Sequence, residues 1–336
     1  MTATLPTRPL RTGTRLTELG FGAAQLGNLF RETTDDASAE AVAAALHDGL
    51  RYFDTAPHYG LGLSERRLGT ALAATPRDSI TVSSKVGRLL IDSPETADRL
   101  DDDGFIVPAQ TRRVWDFSRD GILRSVEASL GRLGTDRLDI AYLHDPDDHW
   151  EAASTTGIAA LIELRDQGVV RNIGAGMNQA PMLAEFIRRC DVDVVMVAGR
   201  FTLLDSAALD ELLPLAAERG VGVVAAAVYN SGLLSSEAVD PSAHFDYGDA
   251  PPSVIERAVR IAEVCTRHGV GLPAAAIQYA LRHPAVVSVV TGMRTATHVH
   301  STVERYSAEI PEALWEELDA RGLVADPAIR SADRSF

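Results

Sequence analysis

The chain has 336 residues, 46% hydrophobic and 24% charged, a composition that suits a globular protein with a large core. Forty-seven acidic against 32 basic residues leave a net charge of −15, which argues against a nucleic-acid surface because phosphate contact needs Lys and Arg. No apolar run approaches the roughly 18 residues of a membrane span, and two distant cysteines, Cys190 and Cys265, with no signal-type segment behind Met1, predict a reduced, cytoplasmic protein.

In chain order, a short hairpin is predicted over 8–15 around Gly13, able to plug the floor of a barrel. Strands are predicted at 19–24, 52–55, 80–85, 139–144, 170–175, 192–198, 221–227 and 286–291. Most are nearly continuous apolar runs, as in parallel strands buried on both faces. Helical stretches follow them at 37–48, 64–73, 119–132, 156–167, 180–189, 206–218, 252–267 and 296–305, with an additional helix at 272–282. Ser118 or Asp120 suits an N-cap, and Gly49, Gly168, Gly220 and Gly269 sit just past helix ends. Eight βα units at this length predict one domain over 1–336, a (β/α)8 TIM barrel with the hairpin at its floor. The segment 87–117 is predicted to be irregular and functional, with solvated acids at 101–103.

Active sites of such barrels form at the C-terminal strand ends. The second strand ends in Asp54, followed closely by His58 and Tyr59; the third ends at Lys85 and the fourth at His144. Lys85 is the one lysine beside 31 arginines. A GC-rich genome accounts for the arginines but not for the exception, which marks a place where a compact ammonium is needed. Alone, each of these residues reads as a cap, a packing group or a solvated charge. Together at consecutive strand ends they form a proton-transfer device. An ammonium close to Tyr59 lowers the pKa of the phenol, Asp54 holds Lys85, and His144 bonds a reacting oxygen.

These residues lie in motifs that resemble the aldo-keto reductase family. The motifs are D-T-A-x-x-Y at 54–59, G-x-S-E-x-x-L-G at 62–69, the strand-three Lys85, and Leu143-His144. The resemblance runs from about Leu16 to Tyr306. It implies a (β/α)8 barrel, NAD(P)-dependent carbonyl–alcohol interconversion without a metal, and the tetrad Asp54, Tyr59, Lys85 and His144 with Tyr59 as acid/base. The runs 118–140, 144–147, 198–205 and 229–234 resemble the branch of L-fucose or D-threo-aldose 1-dehydrogenases and the similar pyridoxal 4-dehydrogenase. That branch implies oxidation of an aldose at C1 to the lactone, with pyridoxal or another carbonyl or alcohol as the alternative small-molecule substrate.

The nicotinamide contacts depart from the family's pattern. A Ser-Asn pair after strand five reads Gly176-Met177 here, with Asn178 one step on; the strand-six Gln is Ala198; and Tyr229 is the candidate stacking aromatic. Ser231, Gly232 and Leu233, with Thr291, Gly292, Met293, Arg294 and Thr295 leading into the eighth helix, are expected to meet the pyrophosphate and adenosine through amides that suit anions. His298 falls where NADP-selective relatives often carry Arg, so NAD is expected to serve at least as well as NADP, unless Arg294 swings onto a 2′-phosphate. Substrate contacts are expected from Gln25, His58, Arg88, Trp115, Asp116 and Asp145, with Trp115 as a loop-packing residue in the plainer reading. The pairs Gly20-x-Gly22 and Gly174-x-Gly176 read as close turns, not as a Rossmann fingerprint. Two other classes stay open: a metal-dependent barrel hydrolase built on the acids and histidines at 144–149, and a cofactor-binding regulatory protein without turnover.

Overall fold

Residues 4–246 and 248–327 are described by the structure, a computed structural model. The alternating runs become eight parallel strands, β1 (Leu19–Gly22), β2 (Tyr52–Asp54), β3 (Thr81–Val86), β4 (Leu138–His144), β5 (Val170–Met177), β6 (Val194–Ala198), β7 (Gly222–Ala226) and β8 (Val286–Gly292). Among the described residues they close into a barrel in sequence order, with β8 pairing back onto β1. The barrel is surrounded by α1 (Asp35–His47), α2 (Leu63–Leu72), α3 (Arg119–Leu133), α4 (Ile158–Asp166), α5 (Ala180–Arg189), α6 (Leu212–Arg219), α7 (Pro252–Arg267), α8 (Leu272–Leu281), α9 (Ala296–Ser307) and α10 (Glu312–Ala320). This is the expected (β/α)8 fold.

Local chemistry sets the ends. Ser118, not Asp120, caps α3 by accepting from the Gly121 amide at 3.1 Å. Gly168 follows α4 with φ 77°, a left-handed turn that a side chain disfavours. The chain's buried apolar residues form two large cores and a small cluster of Leu61, Phe105 and Val107 against Tyr59. One large core lies between strands and helices. The other fills the barrel itself with Tyr52, Ile140, Tyr142, Val194, Met196, Val224, Val287 and Val290. The N-terminal hairpin, Thr7–Pro9 against Arg15–Thr17, closes the floor. Its Leu10 and Leu16 belong to the interior core, and Arg8 donates to the Val286 and Leu281 carbonyls at 2.8 and 3.0 Å.

Several expectations need correction. The glycine pairs are not turns; they lie inside β1 and β5, where the barrel wall has no room for side chains. A Cβ on Gly20 would come within 2.7 Å of the Tyr52 ring, and one on Gly174 would sit inside the Val194 carbonyl. The segment 87–117 is only partly irregular, because its ends, Arg88–Asp92 and Thr111–Trp115, pair as an antiparallel hairpin while 93–110 between them form no regular element beyond one 3-10 turn, Pro94–Thr96. Its acids are not all solvated, since the Asp101 side chain is only 5% exposed and pairs with Arg113 at 2.5 Å. The helix expected from 156 begins at Trp150 and runs through a π-helical stretch, Ala153–Gly157, into α4. Helix α10 was not anticipated.

Candidate active site

Every barrel strand points its C-terminal end toward one mouth, and the sharpest chemistry there centres on Lys85. Its side chain is 3% exposed and its Nζ donates to Asp54 Oδ2 at 2.7 Å, the Thr55 carbonyl at 3.0 Å and the Tyr59 hydroxyl at 3.1 Å. Tyr59 reaches this position because its loop is pressed against the turn after β1. A Cβ on Gly27 would come within 2.6 Å of the Tyr59 backbone, and one on Gly60 (φ 62°) within 2.7 Å of Gly27 Cα. The S-E motif that follows braces the same loop. Ser64 Oγ donates to the Ala23 carbonyl at 2.7 Å, and the fully buried Glu65 accepts from Ser84 at 2.6 Å and Arg132 at 2.5 Å.

His144 ends β4 with its ring perpendicular to that of Tyr59, the centroids 6.1 Å apart. The chain then turns sharply, Asp145 adopting φ 41°, which brings its carboxylate to 3.5 Å from His144 Nε2. All four tetrad residues therefore meet at the mouth.

Their electrostatics follow from burial. Burial disfavours the Lys85 ammonium, but Asp54 and Tyr59 outweigh it and hold the pKa above the ordinary lysine value. For Tyr59 the balance is opposite to the sequence expectation. Burial raises the phenol, Lys85 lowers it, Asp54 and Asp145 raise it again, and the result lies above an ordinary tyrosine. His144 is pushed well below the usual imidazole range by burial and then by the cations Arg88 and Lys85, so it is neutral. Burial with Arg88 and Arg113 takes His58 down to about 2.

The expected substrate residues separate into two groups. Arg88 pairs with Asp145, touches His58 Nδ1 at 3.2 Å and stacks its guanidinium 4.3 Å over the Trp115 ring. Trp115, 40% exposed, also packs on Phe117 and His149. These four, His58, Arg88, Trp115 and Asp145, form one wall beside the tetrad. Asp116 does not join it; its carboxylate accepts from Ser118 and Arg124 at the start of α3. Gln25 lies across the mouth, its side chain in the space that a Cβ on Gly292 would need. Two residues of this wall were not anticipated. The Phe105 ring lies perpendicular to that of His58 with the centroids 5.3 Å apart, and Arg113 donates to the His58 carbonyl at 2.8 Å. Their only sequence signal was membership of the long segment after β3.

For a nicotinamide cofactor, the fit test is the set of buried polar atoms without a partner. Gln25 Oε1, His144 Nδ1, Asn230 Oδ1 and Thr291 Oγ1 are buried and unbonded; His144 and Thr291 lie at the C-terminal ends of β4 and β8, and Gln25 and Asn230 in the turns after β1 and β7. Buried polar atoms are normally paired, so this ring suits a polar ligand. Tyr229, Asn230, Ser231 and Gly232 form the turn after β7, with φ of 45°, 57° and 97° at the last three. The Gly232 and Leu233 amides, expected to face phosphate, instead donate within that turn to Tyr229 and Asn230 at 3.1 Å each. The Leu233 and Met293 side chains are buried in the core, so only their backbones can face a ligand. Gly176, at the end of β5, is buried with its carbonyl accepting from the Asp145 amide at 2.9 Å; Asn178 is half-buried just beyond. Thr295 caps α9 by accepting from the His298 amide at 3.3 Å. Arg294 is not free to swing. It donates to the Arg31 carbonyl at 2.8 Å, the Leu29 carbonyl at 2.6 Å and Thr33, clamping the loop after β1.

The acid run after His144 does not converge on one point, with Asp145 on Arg88 and His149 on Trp115. Among the described residues no group of three His, Cys, Asp or Glu side chains is placed to hold a metal ion.

Comparison with known proteins agrees with this geometry. The chain is 46% identical over 318 residues to a D-threo-aldose 1-dehydrogenase from Pseudomonas sp, covering 94% of this chain and 97% of that protein. It is 36% identical over 332 residues to a pyridoxal 4-dehydrogenase from Microbacterium luteolum, covering 94% and 96%. The fold superposes on an aldo-keto reductase from Bacillus halodurans with a TM-score of 0.73 at 24% identity, covering 96% of this chain and 97% of that one. The model of the aldo/keto reductase family matches residues 18–322, and the chain belongs to that family, as an NAD(P)-dependent oxidoreductase.

Proposed function

We propose that the protein oxidises an aldose of the L-fucose or D-threo-aldose type at C1 to its lactone, with Tyr59 as the acid/base. The hydrogen bonds from Lys85 to both Asp54 and Tyr59 carry this reading, and the 46% identity to a D-threo-aldose 1-dehydrogenase supports the sugar class. A nicotinamide cofactor, held among Gln25, Asn230 and Thr291, would supply the acceptor for the hydride of C1. The chain's own residues handle the proton. Tyr59, as a phenolate favoured by the Lys85 ammonium, takes it from the C1 hydroxyl and becomes the neutral phenol, while Asp54 fixes Lys85. Neutral His144 offers a ring nitrogen to the sugar oxygen. The wall of His58, Arg88 and Asp145 matches hydroxyl groups with both donors and acceptors, and a mismatched hydroxyl leaves buried groups unpaired.

NAD+ serves at least as well as NADP+ in this proposal, because Arg294 is engaged and burial lowers the His298 pKa, followed by Arg31, Arg294 and Arg305. One domain over residues 1–336 and a cytoplasmic location, which the two free thiols suit, complete the proposal. Pyridoxal is the second reading. It is favoured by the 36% identity over 332 residues to a pyridoxal 4-dehydrogenase. The test is a substrate panel of L-fucose, D-arabinose, L-galactose and pyridoxal with each coenzyme. A sugar is expected to be turned over with lactone as product. Turnover of pyridoxal alone overturns the sugar reading.

A further inference from the structure

Behind Asp54 the barrel interior holds a line of hydroxyl groups that the tetrad does not include. Tyr142 and Tyr52 hydroxyls are 3.2 Å apart, Tyr52 and Ser83 are 3.1 Å apart, and Ser83 Oγ is 2.7 Å from Asp54 Oδ1. Tyr52, Ser83 and Tyr142 are each 0% exposed.

Counting protons gives the line a direction. A carboxylate only accepts, so Ser83 gives its single proton to Asp54. The heavy atoms place Ser83 as a donor to both Asp54 and Tyr52, but its one proton is spent on the shorter bond to the carboxylate, which leaves Tyr52 to donate to Ser83 and Tyr142 in turn to Tyr52. Burial pushes both phenols above the ordinary tyrosine value, so both keep their protons. All three O–H bonds therefore run toward Asp54. The line ends inside the packed barrel at Tyr142, above the floor sealed by Leu10 and Leu16, so it is no proton wire to solvent. It is a row of aligned dipoles in a low-dielectric interior, where such bonds polarise one another.

We propose that Ser83 is a positioning residue, the head of a three-hydroxyl relay that aims Asp54 at Lys85 and so sets the field that Lys85 exerts on Tyr59. The inference rests on the reading of Tyr59 as the proton carrier. Asp54 acts on Tyr59 in two opposed ways. Its charge disfavours the phenolate directly, while its grip on Lys85 places the ammonium that favours it. Hydroxyls drawing on Oδ1 share the first effect, and pinning Oδ1 leaves Oδ2 fixed on Lys85. Without Ser83 the carboxylate charge is concentrated and free to rotate, and the phenolate becomes harder to form. The other charged or titratable groups facing Tyr59 are His144 and Asp145 after β4, His58 on its own loop and Arg88 on the hairpin. None of them touches Ser83.

The test uses the full chain carrying Ser83→Ala, Tyr52→Phe and both together. Ionisation of Tyr59 is read by NMR of Cζ-labelled tyrosine, its resonance identified by its loss in Tyr59→Phe, and the pH profile of NAD+-dependent L-fucose oxidation is measured alongside. Ser83→Ala is expected to move the Tyr59 ionisation and the basic limb upward together by roughly 0.5–1 pH unit, the size of one net hydrogen bond. Tyr52→Phe, which keeps the ring and the packing, is expected to move them less in the same direction. The double variant should match Ser83→Ala alone, because Tyr52 reaches Asp54 only through Ser83. An unmoved Tyr59 in Ser83→Ala overturns the relay, as do shifts that add in the double variant or a rate lost equally at every pH. A limb that survives Tyr59→Phe overturns the Tyr59 reading instead, while the NMR shift still tests Ser83.

Discussion

Lys85 gives the sharpest test at the scale of single residues. Arginine keeps the charge but replaces a compact ammonium with a planar fork, and the site demands three bonds from one nitrogen to Asp54, Thr55 and Tyr59. Lys85→Arg is expected to lower kcat by about 10²-fold or more with the fold intact, and Lys85→Met at least as much. Near-normal turnover of Lys85→Arg would mean that the ammonium does not act on Tyr59. The sign of the Tyr59 shift fixes the pH behaviour. Oxidation uses the phenolate and burial raises the phenol, so the rate should climb with pH on one limb reaching well into the alkaline range. Reduction uses the phenol proton and should stay flat through neutral pH. Tyr59→Phe should remove the limb together with most activity, and rate profiles in both directions check this. At the coenzyme end, Arg294→Ala should loosen the loop after β1, weakening NAD+ and NADP+ alike, since its guanidinium holds the carbonyls of Leu29 and Arg31. Comparing kcat/KM for the two coenzymes checks both points. A tenfold preference for NADP+, about 1.4 kcal/mol, would refute the proposed preference and direct attention to exposed Arg31.

Between elements, the contact of α2 with α3 and β3 depends on Glu65, buried with its charge against Arg132 and Ser84. Removing one partner strands a buried charge. Arg132→Met is therefore expected to cost about 3–5 kcal/mol in urea unfolding, with part of the loss recovered when Glu65→Gln is added. The same pairing shows what a sequence can and cannot reveal. The tetrad stood out because Asp54, Lys85 and His144 end consecutive strands with Tyr59 close behind, and the S-E motif, in the first turn of α2, through the family resemblance. Phe105 and Arg113 did not, because their place depends on a hairpin whose arms, Arg88–Asp92 and Thr111–Trp115, are short, half-polar and joined by a connection too long for turn chemistry to announce. Asp116 was read as a site residue with the rest of the long segment after β3, yet it lies one residue past the Thr111–Trp115 arm and its carboxylate turns to Ser118 and Arg124. The spacing of Leu314, Trp315 and Leu318 does carry a helical signal for α10, but it lies beyond the eighth unit at which the repeating pattern ends.

For the whole molecule, the eight apolar runs made the barrel legible, since strands buried on both faces leave few other arrangements. The direction of the Tyr59 shift was not legible, because it depends on how deeply the mouth is buried, a property of the assembled wall. The N-terminal hairpin stabilises from the opposite end. Leu10→Ala should cost about 2–5 kcal/mol by opening a cavity in the interior core. Thermal unfolding and kcat together check this, with kcat expected to stay unchanged because Leu10 lies at the floor. That sealed floor also governs traffic. With Tyr52, Tyr142 and Met196 filling the interior above Leu10 and Leu16, the barrel is a vessel with a single opening. Whatever binds at the mouth therefore enters and leaves on the same side, because the hairpin over residues 7–17 and the side chains above it leave no passage through the floor.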